Sequence, residues 1–153
     1  MKDKPFNFHG AIFTIKVLTS ETNGKYTVMD VIHPPYLGPA LHMHPMGPET
    51  FYIIEGEYEF MLSEKSLMDK SGDTIFVPKG TPHRFEVGRK GGHALIMSPP
   101  ELEHYFFKVG ELFSKGKVSY KTESNLAEQY GQIFLDNRNN SQSHQRNQVF
   151  KIH

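Results

Sequence analysis

The sequence predicts an all-β domain, a sandwich or small barrel, with two C-terminal helices. Three observations carry this expectation. Between residues 11 and 97, short β-branched and aromatic runs alternate with glycine, proline and asparagine turn signals, with no helical segment between them. After Ser98 the apolar spacing changes to three and four residues, the period of an amphipathic helix. At 153 residues the chain is most simply one domain, long enough to bury a real core.

The elements follow in order. Residues 11–18 read as the first strand, ending at a polar run whose Asn23-Gly24 is a hairpin turn. Residues 25–32 form the next, stopped by Pro34-Pro35. Residues 49–54 and 57–62 flank Glu55-Gly56, which reads as a tight reversal. In the second of these, Tyr58, Phe60 and Leu62 alternate with Glu57, Glu59 and Met61, a half-buried pattern. Residues 73–77, 83–87 and 93–97 complete the barrel, assigned to residues 1–97.

Ser98-Pro99-Pro100-Glu101 then reads as a capping box with proline at the first helical position. Leu102, Tyr105, Phe106, Val109, Leu112 and Phe113 form one apolar stripe, for core packing or, in the sharper alternative, a dimer face. A second helix is expected from Asn125, with Leu126, Tyr130, Ile133 and Phe134 along one side. Both helices, within an extension at 98–135, should cover an open end or an outer face of the barrel. Residues 136–153 form a polar tail ending in a candidate add-on strand at 149–152.

Composition narrows the chemistry. Lys plus Arg and Asp plus Glu balance at 17 each, so no global charge draws the chain to nucleic acid or an anionic membrane. The absence of cysteine excludes disulfides, thiolate nucleophiles and Cys-ligated zinc or iron–sulfur sites. A protein-bound metal must therefore rely on histidine and carboxylate. No stretch approaches the roughly 18 apolar residues of a membrane span, and the N-terminus lacks a signal-peptide pattern. A cytoplasmic protein with a small-molecule substrate and no membrane or nucleic-acid partner is expected. A homodimer is the reasonable prior.

Two runs concentrate the metal-ligating residues. Residues 38–56 place His42, His44 and Glu49 at H-x-H-x4-E spacing and close on Gly56. Residues 72–83 add His83 behind Gly72, Pro78 and Gly80. Residues two apart in a strand share a face, so His42 and His44 project together. Glu49 opens the next strand, sharing its face with Phe51 and Ile53, while His83 shares one with Phe85 and Val87.

These runs closely resemble the two motifs of the cupin superfamily. The first, G-x5-H-x-H-x3,4-E-x6-G, is met by His42, His44, Glu49 and Gly56; the second, G-x5-P-x-G-x2-H-x3-N, by Gly72, Pro78, Gly80 and His83. Tyr36 stands where the first glycine is expected, with Gly38 two residues later, and Val87 stands where the final asparagine is expected. The motifs span about 36–87. The wording around them is also similar to the small single-domain (monocupin) members related to quercetin dioxygenases.

The resemblance implies a double-stranded β-helix, a jelly-roll-like barrel, in which His42, His44, Glu49 and His83 bind one divalent transition metal. Such a set suits iron, manganese, nickel or cobalt; zinc is compatible but often prefers four-coordinate geometry. The expected function is a metal-dependent dioxygenase, quercetinase-like, acting on a small aromatic or enolic substrate. Glu49 would be its base, and Phe51, Ile53 and Phe85 its apolar pocket wall. The alternatives are a non-oxidative metal-dependent isomerase or lyase, and a small-ligand-binding or sensor protein without catalysis.

Overall fold

Alternation of apolar and polar side chains decides which sheet face becomes the core, and a computed structural model, which describes residues 1–136, shows how that face closes. The strands are β1 (Phe6–Phe8), β2 (Ala11–Val17), β3 (Thr27–His33), β4 (His42–Met43), β5 (Glu49–Leu62), β6 (Lys65–Lys70), β7 (Thr74–Val77), β8 (His83–Ser98) and β9 (Ile133–Phe134). They form one curled antiparallel sheet of nine strands. Two helices, α1 (Leu102–Ser114) and α2 (Tyr120–Gln129), follow β8. The all-β fold with two C-terminal helices is therefore as the sequence predicts.

Across the sheet the core forms rows. Met29 and Phe51 flank Ile96, while Val31 and Ile53 flank Ala94, and all six are buried. Each such side chain removed from water contributes roughly 1.5–3 kcal/mol, so these rows supply much of the driving force. The residues between them point outward, giving the clean alternation of an antiparallel sheet with one dry face.

Several local expectations are corrected. Glu55-Gly56 is not a reversal: β5 runs unbroken for 14 residues. Likewise 83–87 and 93–97 are the two ends of one 16-residue strand, β8. These two strands pair along their length and bend together, with register shifts on both sides of Gly56, which faces Gly92. Gly56 has φ +91°, and a Cβ there would lie 2.3 Å from the Gly91 carbonyl oxygen. A glycine that signalled a turn thus marks a bend.

Ser98 is not a helix cap. It ends β8, and α1 begins after Glu101, whose φ of 74° is left-handed and whose side chain makes no capping hydrogen bond. Thr19 takes over: its hydroxyl accepts from the Glu101 N–H at 2.8 Å and donates to the buried Glu103 carboxylate at 2.7 Å. The second helix begins at Tyr120, capped by the Ser119 hydroxyl, rather than at Asn125. It stops at Gln129, and Ile133 and Phe134 form β9 instead, paired with β4.

The β2–β3 connection is longer than a two-residue hairpin. A 3₁₀ turn over Thr19–Thr22 precedes Asn23 and Gly24, both at positive φ. Strands β1 and β6 had no clear signal. The candidate strand at 149–152, with the rest of the tail beyond Asp136, lies outside the described residues. Helix α1 packs on β1 and α2 on α1. Leu102, Tyr105 and Val109 of the stripe are buried in this contact, whereas Phe113 is exposed. His9 and the Tyr105 hydroxyl meet on Glu123, which ties the β1–β2 turn to both helices.

The bend yields a stability prediction. Gly56→Ala should cost about 3 kcal/mol or more, since left-handed strain of about 1–2 kcal/mol adds to an overlap with backbone that cannot move aside. Gly24→Ala, at φ +80° with nothing within 4 Å of the added Cβ, should cost only the strain, about 1 kcal/mol. Urea unfolding of both variants checks the difference.

Candidate metal centre

Backbone pairing places the ligand candidates before their side chains matter. His42 of β4 lies opposite His83 of β8, with Phe134 of β9 on its other side. The chain then turns over residues 45–48 so that Glu49 opens β5, and the Gly80 N–H donates to the His44 carbonyl at 2.9 Å. Two separated motifs are thereby stitched at the site itself. Gly38 permits the approach, since a Cβ there would lie 2.3 Å from the Phe85 carbonyl oxygen. Tyr36 takes the left-handed φ of 61° that a glycine would hold more cheaply. Its N–H donates to the Val87 carbonyl at 3.0 Å, so the two departures from the motif pattern touch each other.

His42, His44, Glu49 and His83 are all buried, and one ligand atom from each lies within 4.8 Å of the other three. Octahedral bonds of about 2.1 Å set ligand atoms about 3–4.2 Å apart, so the cluster is close to that scale. The His42 Nδ1–H donates to the Ala40 carbonyl at 2.6 Å and the His83 Nδ1–H to the Thr81 carbonyl at 2.9 Å. These bonds fix the tautomer and leave each Nε2 lone pair facing the cluster. His44 has no hydrogen-bond partner at either ring nitrogen; its Nε2 is 3.3 Å from Glu49 Oε1 but is not aligned for a hydrogen bond.

The carboxylate is anchored at one oxygen and faces the imidazoles with the other. Glu49 Oε1 lies 3.1 Å from His83 Nε2, and Oε2 accepts from the Ser98 hydroxyl at 2.7 Å. Burial alone would raise the Glu49 pKa, but the neighbouring His44 and His83 imidazoles hold it well below the usual carboxylate range. Burial pulls His42 well below its ordinary 6.5, with His83 and His44 adding to the effect. Imidazole lone pairs and a carboxylate converging in a dry site repel one another unless a cation lies between them. The bare Nε2 atoms, the unpartnered buried His44 and the nitrogen–oxygen donor set all fit a divalent transition metal.

The cluster opens on a cavity of about 60 Å³. His42 and Glu49 reach its lining, whereas His44 and His83 do not. Of the three pocket residues expected from sequence, Phe51 and Phe85 line it; Ile53 is buried in the core row beside Ala94. Much of the remaining wall comes from segments outside the motifs, including Phe8, Tyr105, Phe106 and Phe134.

Sequence reasoning also missed three polar residues. Ser98 orients Glu49, while His33 and Gln132 line the cavity. His33 was open to detection, since it continues the inward alternation of Met29 and Val31; Gln132 carried no signal of its own.

Comparison with known proteins follows from this geometry. Residues 29–98 match the family model for the cupin domain. An uncharacterised protein of Methanocaldococcus jannaschii is 33% identical over 81 residues, which span 52% of this chain and 65% of that relative. An RmlC-like cupin from Shewanella frigidimarina superposes with a TM-score of 0.59 at 17% identity, over 67% of this chain and 88% of its own. A cupin-like protein from Thermotoga maritima gives 0.58 at 13% identity, over 92% and 85%. The polyketide cyclase RemF from Streptomyces resistomycificus gives 0.51 at 21%, over 58% and 64%. At these identities the structural likeness is one of fold.

Metal analysis of protein purified without added metal should find about one equivalent of a divalent ion, and His42→Ala or His83→Ala should abolish it. Protons compete with the ion for the imidazoles, so occupancy should fall as pH drops below roughly 6. Metal-free stability should move the same way. Folded His42 and His33 are held below the ordinary 6.5, His33 to about 3, so only the unfolded chain takes up their protons as pH falls. Stability should therefore be highest above 6.5 and decline toward pH 3, a slope that thermal melts can follow.

Proposed function

We propose that this chain, whose residues 29–98 match the cupin domain model, is a divalent-metal-dependent dioxygenase acting on a small aromatic or enolic substrate. The supporting observation is the four-donor cluster opening, at His42 and Glu49, into an apolar cavity. An iron, manganese, nickel, cobalt or zinc ion held by His42, His44, Glu49 and His83 supplies Lewis acidity and a shared meeting point for a substrate oxygen and O₂. Glu49 accepts the proton of the substrate hydroxyl at Oε1, while Ser98 keeps its other oxygen anchored. Held well below the usual carboxylate range by its histidine neighbours, Glu49 is ionised at neutral pH and returns that proton readily.

Phe51 and Phe85 exclude water from the reacting groups, and Ile53 extends the same buried face of β5. Size refines the quercetinase-like reading. A cavity of about 60 Å³ is far below the roughly 300–1,000 Å³ of pockets for drug-sized ligands. That favours an acyclic enol or a single ring over a multi-ring flavonol. The same volume supports a second reading, a non-oxidative isomerase or lyase, because little space remains for O₂ beside a substrate. The reading includes a cytoplasmic homodimer: Ile32, Tyr52, Phe76 and Met97 leave apolar surface exposed on outward-facing strands.

Oxygen consumption tests the proposal. Protein reconstituted with each metal in turn should take up O₂ with at least one member of a panel of small enols and catechols. Glu49→Gln should lower turnover about 100-fold or more. Turnover that persists under argon, without O₂ uptake for any metal, would replace the dioxygenase with the isomerase or lyase.

A further inference from the structure

We infer that His33 and Gln132, which line the same cavity as His42 and Glu49, form a second polar subsite that binds a neutral hydroxyl or carbonyl oxygen of the substrate other than the oxygen at the metal cluster. This rests on the proposed function for the orientation of the substrate, whereas the subsite has observations of its own.

The cavity wall is otherwise almost wholly apolar. Apart from His42 and Glu49, its polar side chains among the described residues are His33, Gln132 and Tyr105, and the Tyr105 hydroxyl is already committed to Glu123. Gln132 is only 6% exposed, and its side-chain amide has no hydrogen-bond partner among the described residues. That leaves the amide free to pair with a ligand oxygen in the cavity.

His33 is fixed by one bond. Its Nδ1 lies 2.6 Å from the Tyr58 hydroxyl, and both residues are buried. That hydroxyl has no other partner among the described residues, so the Tyr58 O–H donates to Nδ1 rather than leaving its proton unpaired. The ring proton then sits on Nε2, which has no protein partner among the described residues. Gly92 makes the arrangement possible, since a Cβ there would lie 2.6 Å from the Tyr58 hydroxyl oxygen. Burial also keeps His33 neutral near pH 7 and the Tyr58 hydroxyl protonated, so the tautomer holds.

The subsite therefore offers one fixed N–H donor and one amide able to donate or accept. No Lys or Arg lines the cavity among the described residues, so an anionic group finds no side-chain countercharge on its wall. A neutral oxygen is the chemistry that it matches.

Two measurements test the inference. In metal-free protein, long-range ¹H–¹⁵N correlation spectra should show His33 as the Nε2–H tautomer; the Nδ1–H tautomer would overturn it. Zinc-loaded protein should then be titrated calorimetrically with 3-hydroxypropionohydroxamate and with butyrohydroxamate, small chelators that differ by hydroxyl for methyl. Wild type should favour the hydroxylated probe about fivefold. His33→Phe and Gln132→Leu, each checked by thermal melt for folding, should each reduce or reverse that preference while still binding butyrohydroxamate.

Equal binding of the two probes by wild type, or a preference that survives in both folded variants, would refute the subsite and leave the metal-centred function standing. If neither probe binds zinc-loaded wild type, the metal-centred reading fails first and the subsite falls with it.

Discussion

Four electron-pair donors that repel one another have to be held, buried, within 4.8 Å, and much of the fold serves that requirement. Side-chain packing alone would let the imidazoles turn apart. Two backbone carbonyls and one hydroxyl prevent it: the Ala40 and Thr81 carbonyls clamp His42 and His83 at Nδ1, and the Ser98 hydroxyl clamps Glu49. Those clamps lie on β4, on β8 and in the loops beside them, so the metal geometry depends on strands β5 and β8 staying paired around their common bend. Gly56 and the Gly91-Gly92 pair let two long strands turn together without breaking their ladder.

The metal end of the site was legible in the sequence because ligand chemistry admits few residue types and strand geometry admits few spacings. His42, His44, Glu49 and His83 follow both constraints and lie together. The bend was misread because glycine at positive φ serves equally in a hairpin turn and in a bulge, and only the partner strand distinguishes them. Ser98 was misread for a related reason. Local pattern favoured a helix cap, but its hydroxyl gains more from a buried carboxylate 49 residues away in sequence. Phe134 reads as helical by spacing and becomes a strand because β4 has a free edge to pair.

Tyr36 and Val87 show how a departure from a motif can be absorbed. Each replaces an expected residue, and the Tyr36 N–H donates to the Val87 carbonyl while the Val87 N–H donates to the Leu37 carbonyl. Backbone hydrogen bonds do not depend on side-chain identity, so the loop keeps its path even with a tyrosine in left-handed conformation. Gly38 has no such latitude, because backbone itself occupies the space a Cβ would need.

The rest of the cavity wall obeys no comparable code. Phe8, Tyr105, Phe106, Gln132 and Phe134 reach it from β1, from α1 and from the segment around β9, all outside the motif-bearing strands. Their convergence depends on how α1 docks on β1, which rests in turn on Thr19 holding Glu103 and on His9 meeting Glu123. These are long-range contacts between residues with no shared pattern. A metal site can therefore be inherited as a compact rule while the substrate wall is rebuilt by changes in the helices and terminal strands. The polar pair His33 and Gln132 draws one member from each source: β3 of the barrel and the loop before β9. The cavity wall is set where the motif-bearing strands meet the helices and terminal strands.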